Sequence, residues 1–286
     1  MPLKMFTSKN ENPPPKIKYV LGIAAGKGGV GKSSITVNLA FALQKAGYSV
    51  GIMDTDIYGP SIRKMLPEDR LPTQKGEYLV PALCQGIKMI SMAYFRKENE
   101  AAVIRAPIAN GIITQFIKNV DWGNLDFLLI DFPPGTGDVQ LTLSQQANLT
   151  AAILVTTPQE VALLDVRKAM HMFQQVKIPI LGIVENMSYY ISGNSKEKVY
   201  IFGKEGGLRL SQEAGVPLLG QIPLDEMICQ SGDKGYSLFQ KDPKEETPAV
   251  VALTNFSKEV AQQVKLLKEE SSHCLEFFEL NWKEMN

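Results

Sequence analysis

The sequence is poor in cysteine and histidine, and it has no long apolar run. Its 286 residues include three cysteines and two histidines, and Cys84, Cys229 and Cys274 lie far apart along the chain. An odd number of separated cysteines provides no disulfide framework and is typical of a reducing compartment. No apolar run approaches the ~20 residues that cross a bilayer, and the start, "MPLKMFTSKNENPPPKIK", lacks the apolar segment of a secretory signal. We therefore expect a cytoplasmic protein without a membrane partner.

An excess of charge of either sign is also absent. The 30 Lys+Arg residues balance the 30 Asp+Glu residues, which argues against wholesale binding to nucleic acid or to anionic lipid. From residue 268 onward, two lysines stand against five glutamates. A helix that binds anionic lipid needs the opposite balance, so we expect neither nucleic acid nor membrane as a partner.

Seven short apolar runs predict β-strands. They are continuous rather than alternating, as expected of parallel strands that are covered on both faces. Helical stretches lie between most of them, including residues 34–47, which end at Gly47, and residues 159–176. This alternation predicts an α/β fold with a doubly wound, mainly parallel sheet and helices on both faces. The runs are residues 19–25, 49–54, 87–92, 127–132, 151–157, 178–185 and 216–222. A last helix is predicted from the helical spacing of Phe256, Val260, Val264 and Leu267.

A glycine-rich loop lies between the first predicted strand and the first predicted helix. "GKGGVGKS", from Gly26 to Ser33, fits the pattern G-x-x-x-x-G-K-[ST]. Backbone N–H groups of such a loop converge on phosphate, and the helix N-terminus adds partial positive charge. We expect Lys32 to reach the β- and γ-phosphates and the Ser33 hydroxyl to bind Mg²⁺. A chance glycine-rich turn is the alternative, and the flanking strand and helix argue against it. The predicted nucleotide-binding residues of the loop are Gly26, Lys27, Gly28, Gly29, Val30, Gly31, Lys32, Ser33 and Ser34.

Carboxylates follow two of the apolar strands. Asp131, in "FLLIDFPPGTGD", is expected to hold Mg²⁺ through water, and the segment that leads to Asp138 can move when the γ-phosphate leaves. "GIMDTDIYGPS" supplies Asp54 and Asp56. We expect Asp56 to orient the attacking water and Asp54 to support the phosphate-loop or metal network. The reverse division of roles stays open, because sequence spacing gives no distances.

The loop contains a second lysine, Lys27. The loop backbone already surrounds the phosphate that Lys32 holds, so Lys27 has no evident use within its own subunit. It does have one if it crosses to the nucleotide of a second subunit and neutralises charge in the transition state. An arginine finger plays that role and contributes roughly 10³–10⁵ in rate. Lys27 therefore predicts a homodimer, with a solvated surface lysine as the alternative.

Taken together, these segments are similar to those of the deviant-Walker ATPases, which include MinD, ParA, ArsA and the nitrogenase iron protein. More narrowly, the chain resembles the Mrp-type ATPases of the Mrp/Nbp branch, the iron–sulfur cluster carriers. The resemblance runs from about residue 17 to about residue 240. It is carried by "GKGGVGKSS", "MDTDIYGPSI", "VDWGNLDFLLIDFPPGTGDVQLTLSQ", "VTTPQEVALLD", "GIVENMSYY", "IFGKEGG" and "LLGQIPLD".

This resemblance implies a slow MgATP hydrolase that forms a homodimer and transfers iron–sulfur clusters. Its implied partners are apoprotein recipients and cluster-assembly proteins, and its implied cofactors are ATP, Mg²⁺ and a [4Fe–4S] cluster. It also implies that Asn186 hydrogen-bonds the adenine base. We expect three regions: a flexible N-terminal tail (1–17), a P-loop ATPase domain (18–270) and an acidic C-terminal tail (271–286).

The chain departs from the family at the cluster ligands. Family members carry a C-x-x-C pair after "NMS", and two such pairs, one per subunit, hold a bridging [4Fe–4S] cluster. Here Ser192 and Ser195 stand at those positions. Iron–sulfur clusters use the soft thiolate of cysteine, whereas a serine hydroxyl is harder and far less easily deprotonated. We expect such a loop to bind clusters weakly or not at all.

Two other functions compete with cluster transfer. One is a cluster-free, nucleotide-switched module of the MinD/ParA type that acts on a protein partner. The other is a P-loop phosphotransferase, which leaves Lys27 without a role. Substitute cluster ligands are weakly supported: we expect Cys84 and Cys229 to be buried thiols and His171 to be a packing residue, and His273-Cys274 is an isolated pair.

Overall fold

An eight-stranded sheet forms the centre of the protein. The computed structural model describes residues 16–56, 59–95, 106–135, 137–192, 197–240 and 247–284. The strands in these ranges are β1 (Ile17–Ala24), β2 (Val50–Asp54), β3 (Thr73–Lys75), β4 (Tyr78–Val80), β5 (Ala82–Cys84), β6 (Ile87–Ser91), β7 (Leu125–Asp131), β8 (Ala151–Thr156), β9 (Ile180–Glu185), β10 (Tyr190–Ile191), β11 (Lys198–Val199) and β12 (Leu218–Gln221). The helices are α1 (Lys32–Lys45), α2 (Ile62–Met65), α3 (Ala106–Asn119), α4 (Asp138–Gln146), α5 (Glu160–Gln175), α6 (Gly206–Ala214), α7 (Glu226–Lys234) and α8 (Pro248–Glu284).

The order of strands across the sheet is β12-β9-β8-β1-β7-β2-β6-β5. Neighbouring strands are parallel except for β5, which runs antiparallel to β6. The predicted α/β fold is therefore confirmed. Each of the seven predicted runs contains a strand of this sheet, with ends that differ by up to two residues. Two short hairpins, β3–β4 and β10–β11, lie outside the sheet.

Apolar clusters cover both faces of the sheet, as parallel strands require. Successive residues of β8 alternate between the two clusters: Ile153 belongs to one and Leu154 to the other. Helices α1 and α8 contribute to the first cluster, and α3 and α5 contribute to the second. All six residues of β8 are buried, which explains why its sequence shows no polar alternation.

The predicted last helix is present and packs on the body of the protein. Phe256, Val260 and Val264 are fully buried, and Leu267 packs against the same cluster. Helix α8 continues past residue 270 without a break, so the boundary at residue 271 stays a prediction. Among the helices of the described ranges, none is both long and apolar enough to cross a membrane.

Two expectations about packing are wrong. Cys229 is exposed rather than buried, because its apolar neighbours Met227 and Ile228 turn inward from α7 and leave it on the outer side. His171 is likewise exposed, although Met170 and Met172 beside it are buried. Cys84 is buried as expected, and burial raises the pKa of its thiol to about 12. Such a thiol stays protonated and unreactive at neutral pH.

Candidate functional site

The glycine-rich loop joins β1 to α1 at the carboxyl edge of the sheet. A Cβ atom on Gly26 would lie 2.0 Å from the backbone carbonyl carbon of Asp165, so α5 packs directly on the loop. Gly31 has a φ of 82° and caps α1. Gly28 and Gly29, by contrast, have no atom within 4 Å of an added Cβ. The loop is thus anchored on one side and open at its middle, where a phosphate needs access to backbone N–H groups.

Asp131 brings together three side chains from the first turns of α1. Its Oδ2 accepts hydrogen bonds from Lys32 Nζ and Ser33 Oγ, both at 2.7 Å, and its Oδ1 accepts one from Thr36 Oγ1 at 2.8 Å. Thr36 lies four residues after Lys32 and three after Ser33, so it is a neighbour of both on the helix surface. Asp131 is fully buried, and Lys32 is 7% exposed.

A second carboxylate lies next to Asp131 on the adjacent strand. Asp54 ends β2 directly beside Asp131 in the parallel register. It is fully buried, and it accepts hydrogen bonds from Ser91 Oγ at 2.8 Å and from the Asp56 backbone N–H at 3.1 Å. Burial and then the neighbouring Asp131 carboxylate raise the pKa of Asp54 to about 7. The Asp54 carboxyl group therefore holds its proton to a higher pH than an exposed aspartate does.

Asp56 and Lys27 lie in loops at the same edge. Asp56 is half-buried in the loop after β2, where its Oδ1 accepts a hydrogen bond from the Gly59 backbone N–H at 3.0 Å. Lys27 is half-buried and makes no ion pair with any residue in the described ranges. Among the described residues, the Lys27 ammonium group is thus left without a carboxylate partner.

Asn186 also reaches the glycine-rich loop. Its side chain donates a hydrogen bond to the Val30 carbonyl oxygen at 2.9 Å, and its backbone N–H donates one to the Thr156 carbonyl oxygen at 2.8 Å. A Cβ on Gly31 would lie 2.3 Å from Asn186 Nδ2. The predicted adenine-binding residue is therefore packed against the predicted phosphate loop.

Side chains at the start of α1 and at the end of β7 fit a magnesium ion and nucleotide phosphates. Magnesium that is bound together with nucleotide phosphates needs only one or two protein ligands, and it prefers oxygen. The Ser33 hydroxyl and the Asp131 carboxylate supply such oxygens 2.7 Å apart. Lys32 lies beside them and offers the phosphates a cation.

One of the two serine positions, Ser192, lies next to the β10–β11 hairpin. Ser192 follows β10, and its backbone N–H donates a hydrogen bond to the Glu197 carbonyl oxygen at 3.3 Å. Ser195 lies outside the described residues. Within the described ranges, no group of three or more His, Cys, Asp or Glu residues is arranged to hold a metal ion.

Sequence reasoning missed two buried polar residues of this region. Thr36 lies three and four residues after Ser33 and Lys32, and this helical spacing was the available signal. Glu185 ends the apolar run of β9 and is fully buried. Because an ionisable side chain is rarely buried without partners, its position at the end of that run was the signal.

Comparison with known proteins places the chain among iron-transfer NTPases. The family described as "ParA: NUBPL iron-transfer P-loop NTPase" matches residues 16–262. An iron-sulfur cluster carrier protein of Synechocystis is 44% identical over 257 residues, which cover 88% of this chain and 72% of the relative. One from Aquifex aeolicus is 41% identical and covers 91% of this chain and 71% of the relative.

Solved structures agree with this assignment. A nucleotide-binding protein from Archaeoglobus fulgidus in complex with ADP superposes with a TM-score of 0.70 at 38% identity, covering 79% of this chain and 90% of that one. MinD from Pyrococcus horikoshii with Mg-ADP has a TM-score of 0.62 at 22% identity, covering 87% of this chain and 98% of that one, and shows the shared fold alone. The resemblance to the cluster-carrier ATPases is thereby confirmed, and the chain belongs to the NUBPL-type iron-transfer P-loop NTPase family.

Proposed function

We propose that this protein is a homodimeric MgATP hydrolase that binds iron–sulfur clusters and transfers them to apoproteins. The proposal that it binds and hydrolyses MgATP rests on one observation. Lys32, Ser33 and Thr36 all donate hydrogen bonds to the buried Asp131, next to a glycine-rich loop that is open at its middle. The carrier part is supported by family membership and by the relatives' names.

Residues at different positions around the phosphate loop have different roles in the proposed hydrolysis. The loop backbone and Lys32 hold the phosphates, and Lys32 exchanges part of its contact with Asp131 for them. Ser33 and Asp131 would hold Mg²⁺, which neutralises charge on the β- and γ-phosphate oxygens. Asp56, which is half-buried in the loop after β2, orients the attacking water. Lys27 from the partner subunit stabilises the charge of the transition state.

Asp54 supports this network rather than taking part in the chemistry. It is fully buried, hydrogen-bonded to Ser91, and separated from solvent. A general base must reach the water that it orients. The more accessible Asp56 is therefore better placed to orient the water. Asp54 instead holds the ends of β2 and β6 together through its hydrogen bond with Ser91.

A second function is favoured by one observation, the serine at position 192. A cluster-free module that changes partner with its nucleotide would keep Lys27, Lys32, Ser33 and Asp131 and would need no thiolates. This alternative shares the ATPase and the dimer with the first. The two functions differ only in whether iron and sulfide are bound.

Purification without oxygen, followed by reconstitution with iron and sulfide, separates these functions. Under the cluster-carrier function, the dimer retains iron and acid-labile sulfide and shows broad visible absorbance. A colourless protein that still hydrolyses ATP establishes the cluster-free alternative. Hydrolysis is measured in parallel with MgATP and MgGTP, and we expect ATP to be preferred and EDTA to abolish the reaction. Absence of any magnesium-dependent hydrolysis would refute both functions.

A further inference from the structure

Glu185 is a fully buried carboxylate that the proposed hydrolysis does not use. Its Oε1 accepts hydrogen bonds from Ser188 Oγ at 2.5 Å and from Gln221 Nε2 at 3.0 Å. Its Oε2 accepts one from the Gly207 backbone N–H at 2.5 Å. A buried carboxylate is tolerated when its oxygens are hydrogen-bonded, and here both oxygens accept from groups on separate chain segments.

Two of these hydrogen bonds hold the two ends of the segment that contains the hairpin. Ser188 lies just before β10, and Gly207 lies after β11 at the start of α6. A Cβ on Gly207 would lie 2.9 Å from Glu185 Cβ, and one on Gly206 would lie 2.4 Å from the Pro158 carbonyl oxygen. The glycine pair therefore permits close packing, and the Glu185 carboxylate fixes both ends of the segment that bears Ser192.

The next residue along the chain contacts the phosphate loop. Asn186 donates to the Val30 carbonyl oxygen, and its amide nitrogen leaves no room for a Cβ on Gly31. A shift of Val30 or Gly31 when phosphate binds must therefore displace the Asn186 side chain or break its hydrogen bond. Since Glu185 and Asn186 are adjacent, such a displacement acts directly on the residue that holds the hairpin segment.

We propose that Glu185 is a positioning residue that couples nucleotide occupancy of the phosphate loop to the order of the β10–β11 hairpin. The inference rests on the proposed function in that the loop must bind nucleotide, and it holds whether or not the hairpin carries a cluster. Coupling between two sites requires an element that both sites bias. That element is the pair of adjacent residues Asn186 and Glu185: Asn186 donates a hydrogen bond to Val30, and Glu185 accepts hydrogen bonds from Ser188 and Gly207.

Hydrogen exchange on the full-length protein tests the proposal through Glu185→Gln. Glutamine has nearly the shape of glutamate, but its amide nitrogen cannot accept a hydrogen bond, so at least one of the three donors loses its partner. Exchange is followed by mass spectrometry in peptides that cover residues 187–192 and 197–210, with and without saturating MgADP. The affinity for MgADP is measured in the same samples.

In the wild type, MgADP slows exchange in these peptides by about fivefold or more, the lower end of typical allosteric coupling. In Glu185→Gln this slowing is lost, and the affinity for MgADP falls by no more than the factor by which MgADP slows exchange in the wild type, since coupling is reciprocal. Asp126→Asn is the matched control: it removes a carboxylate that accepts from Ser49 at the start of β7, far from the loop, and keeps the slowing. Ser188→Ala cuts a single contact and gives a partial loss, which provides a second test if Glu185→Gln does not fold.

Three results would overturn the proposal. The first is wild-type protein that binds MgADP without any change in hairpin exchange, which leaves the proposed hydrolase intact. The second is full retention of the slowing in folded Glu185→Gln or Ser188→Ala. The third is failure of the wild type to bind MgADP, which the affinity measurement reports separately and which refutes the proposed function as well.

Discussion

Asp131 joins the stability of the fold to the chemistry of the site. It accepts hydrogen bonds from Lys32, Ser33 and Thr36 while fully buried. Breaking a buried ion pair by removal of one partner is strongly destabilising, because the other charge is left uncompensated. The same carboxylate is the proposed holder of Mg²⁺. A substitution at this residue therefore changes folding and hydrolysis together, and loss of activity alone does not define its role.

Asp54 offers a cleaner test at the scale of one residue. Its pKa is raised from 3.8 to about 7, first by burial and then by Asp131. Between these values the folded state binds the proton more tightly than the unfolded state, so the contribution of Asp54 to stability is full below about pH 4 and is lost as the pH rises to about 7. Asparagine mimics the protonated form, because its amide can donate to Ser91 and its oxygen can accept from the Asp56 N–H.

We expect Asp54→Asn to match the wild type in free energy of unfolding near pH 4 and to exceed it by up to about 4 kcal/mol at pH 8. The measurement is urea denaturation across this pH range in magnesium-free buffer. Comparison of the two proteins at each pH cancels the other titrating groups. Parallel stability profiles would show that Asp54 ionises in the folded protein as it does in the unfolded chain.

The contact between the phosphate loop and α5 is the feature to test at the scale of an element. An alanine at Gly26 would place Cβ 2.0 Å from backbone atoms of Asp165, which no side-chain rotation relieves. We expect Gly26→Ala to move α5 away from the loop and to destabilise the protein by about 1–3 kcal/mol. Gly28→Ala is the control, with no atom within 4 Å and an expected effect within about 0.5 kcal/mol. Thermal and urea unfolding without nucleotide distinguish the two, and equal stabilities would contradict the packing argument.

The β10–β11 hairpin is the second element with a direct test. Its backbone is closed by the pairing of Tyr190 with Val199 and of Ile191 with Lys198, so its fold does not depend on the residues at 192 and 195. We expect the double variant Ser192→Cys, Ser195→Cys to fold as the wild type does and to bind about four irons per dimer through four thiolates. Iron and sulfide analysis after anaerobic reconstitution measures this. The single variants, with two thiolates per dimer, are expected to bind less iron. A double variant that binds no iron would show that the hairpin does not hold a cluster.

The sequence alone predicted the central sheet because its strands are buried on both faces and read as continuous apolar runs. It did not predict β3, β4, β5, β10 or β11, which are two or three residues long and form only through their partners. The burial of His171 on α5 and of Cys229 on α7 was predicted wrongly. On each helix the apolar neighbours in sequence point inward, while the residue itself points outward. In the site, Lys32, Ser33 and Asp131 were named from motifs, but no motif reveals that Thr36 also donates a hydrogen bond to Asp131 or that Glu185 accepts hydrogen bonds from Ser188 and Gly207.

At the scale of the whole molecule, the strand order concentrates charge on one edge of the sheet. Strands β1, β7 and β2 are neighbours, so the glycine loop, Asp131 and Asp54 meet at their carboxyl ends. Helix α5 packs on this loop at Gly26, and its Val161 and Leu164 are more than half exposed. Exposed apolar side chains beside a charged site are typical of an interaction surface. This edge is therefore the face on which we propose that the dimer forms, with Lys27 crossing to the partner.

The crossing role of Lys27 is testable by mixing variants. We expect Lys27→Ala to bind MgATP normally and to lose roughly 10³–10⁵ in turnover, as an arginine finger does. Lys168→Ala, at a side chain that is 71% exposed, serves as the control and keeps full turnover. Asp56→Asn is expected to be inactive because the attacking water is no longer oriented.

In a mixed dimer of Lys27→Ala with Asp56→Asn, one of the two sites has its own Asp56 and receives Lys27 from the partner. Equal amounts of the two inactive proteins should therefore recover about a quarter of wild-type turnover, because half of the dimers are mixed and each has one complete site. A lysine that acts within its own subunit gives no recovery, since each site then lacks one of the two residues. Sedimentation of the mixture with a non-hydrolysable ATP analogue measures the dimer directly, and protomers that stay single under saturating analogue would exclude the crossing lysine altogether.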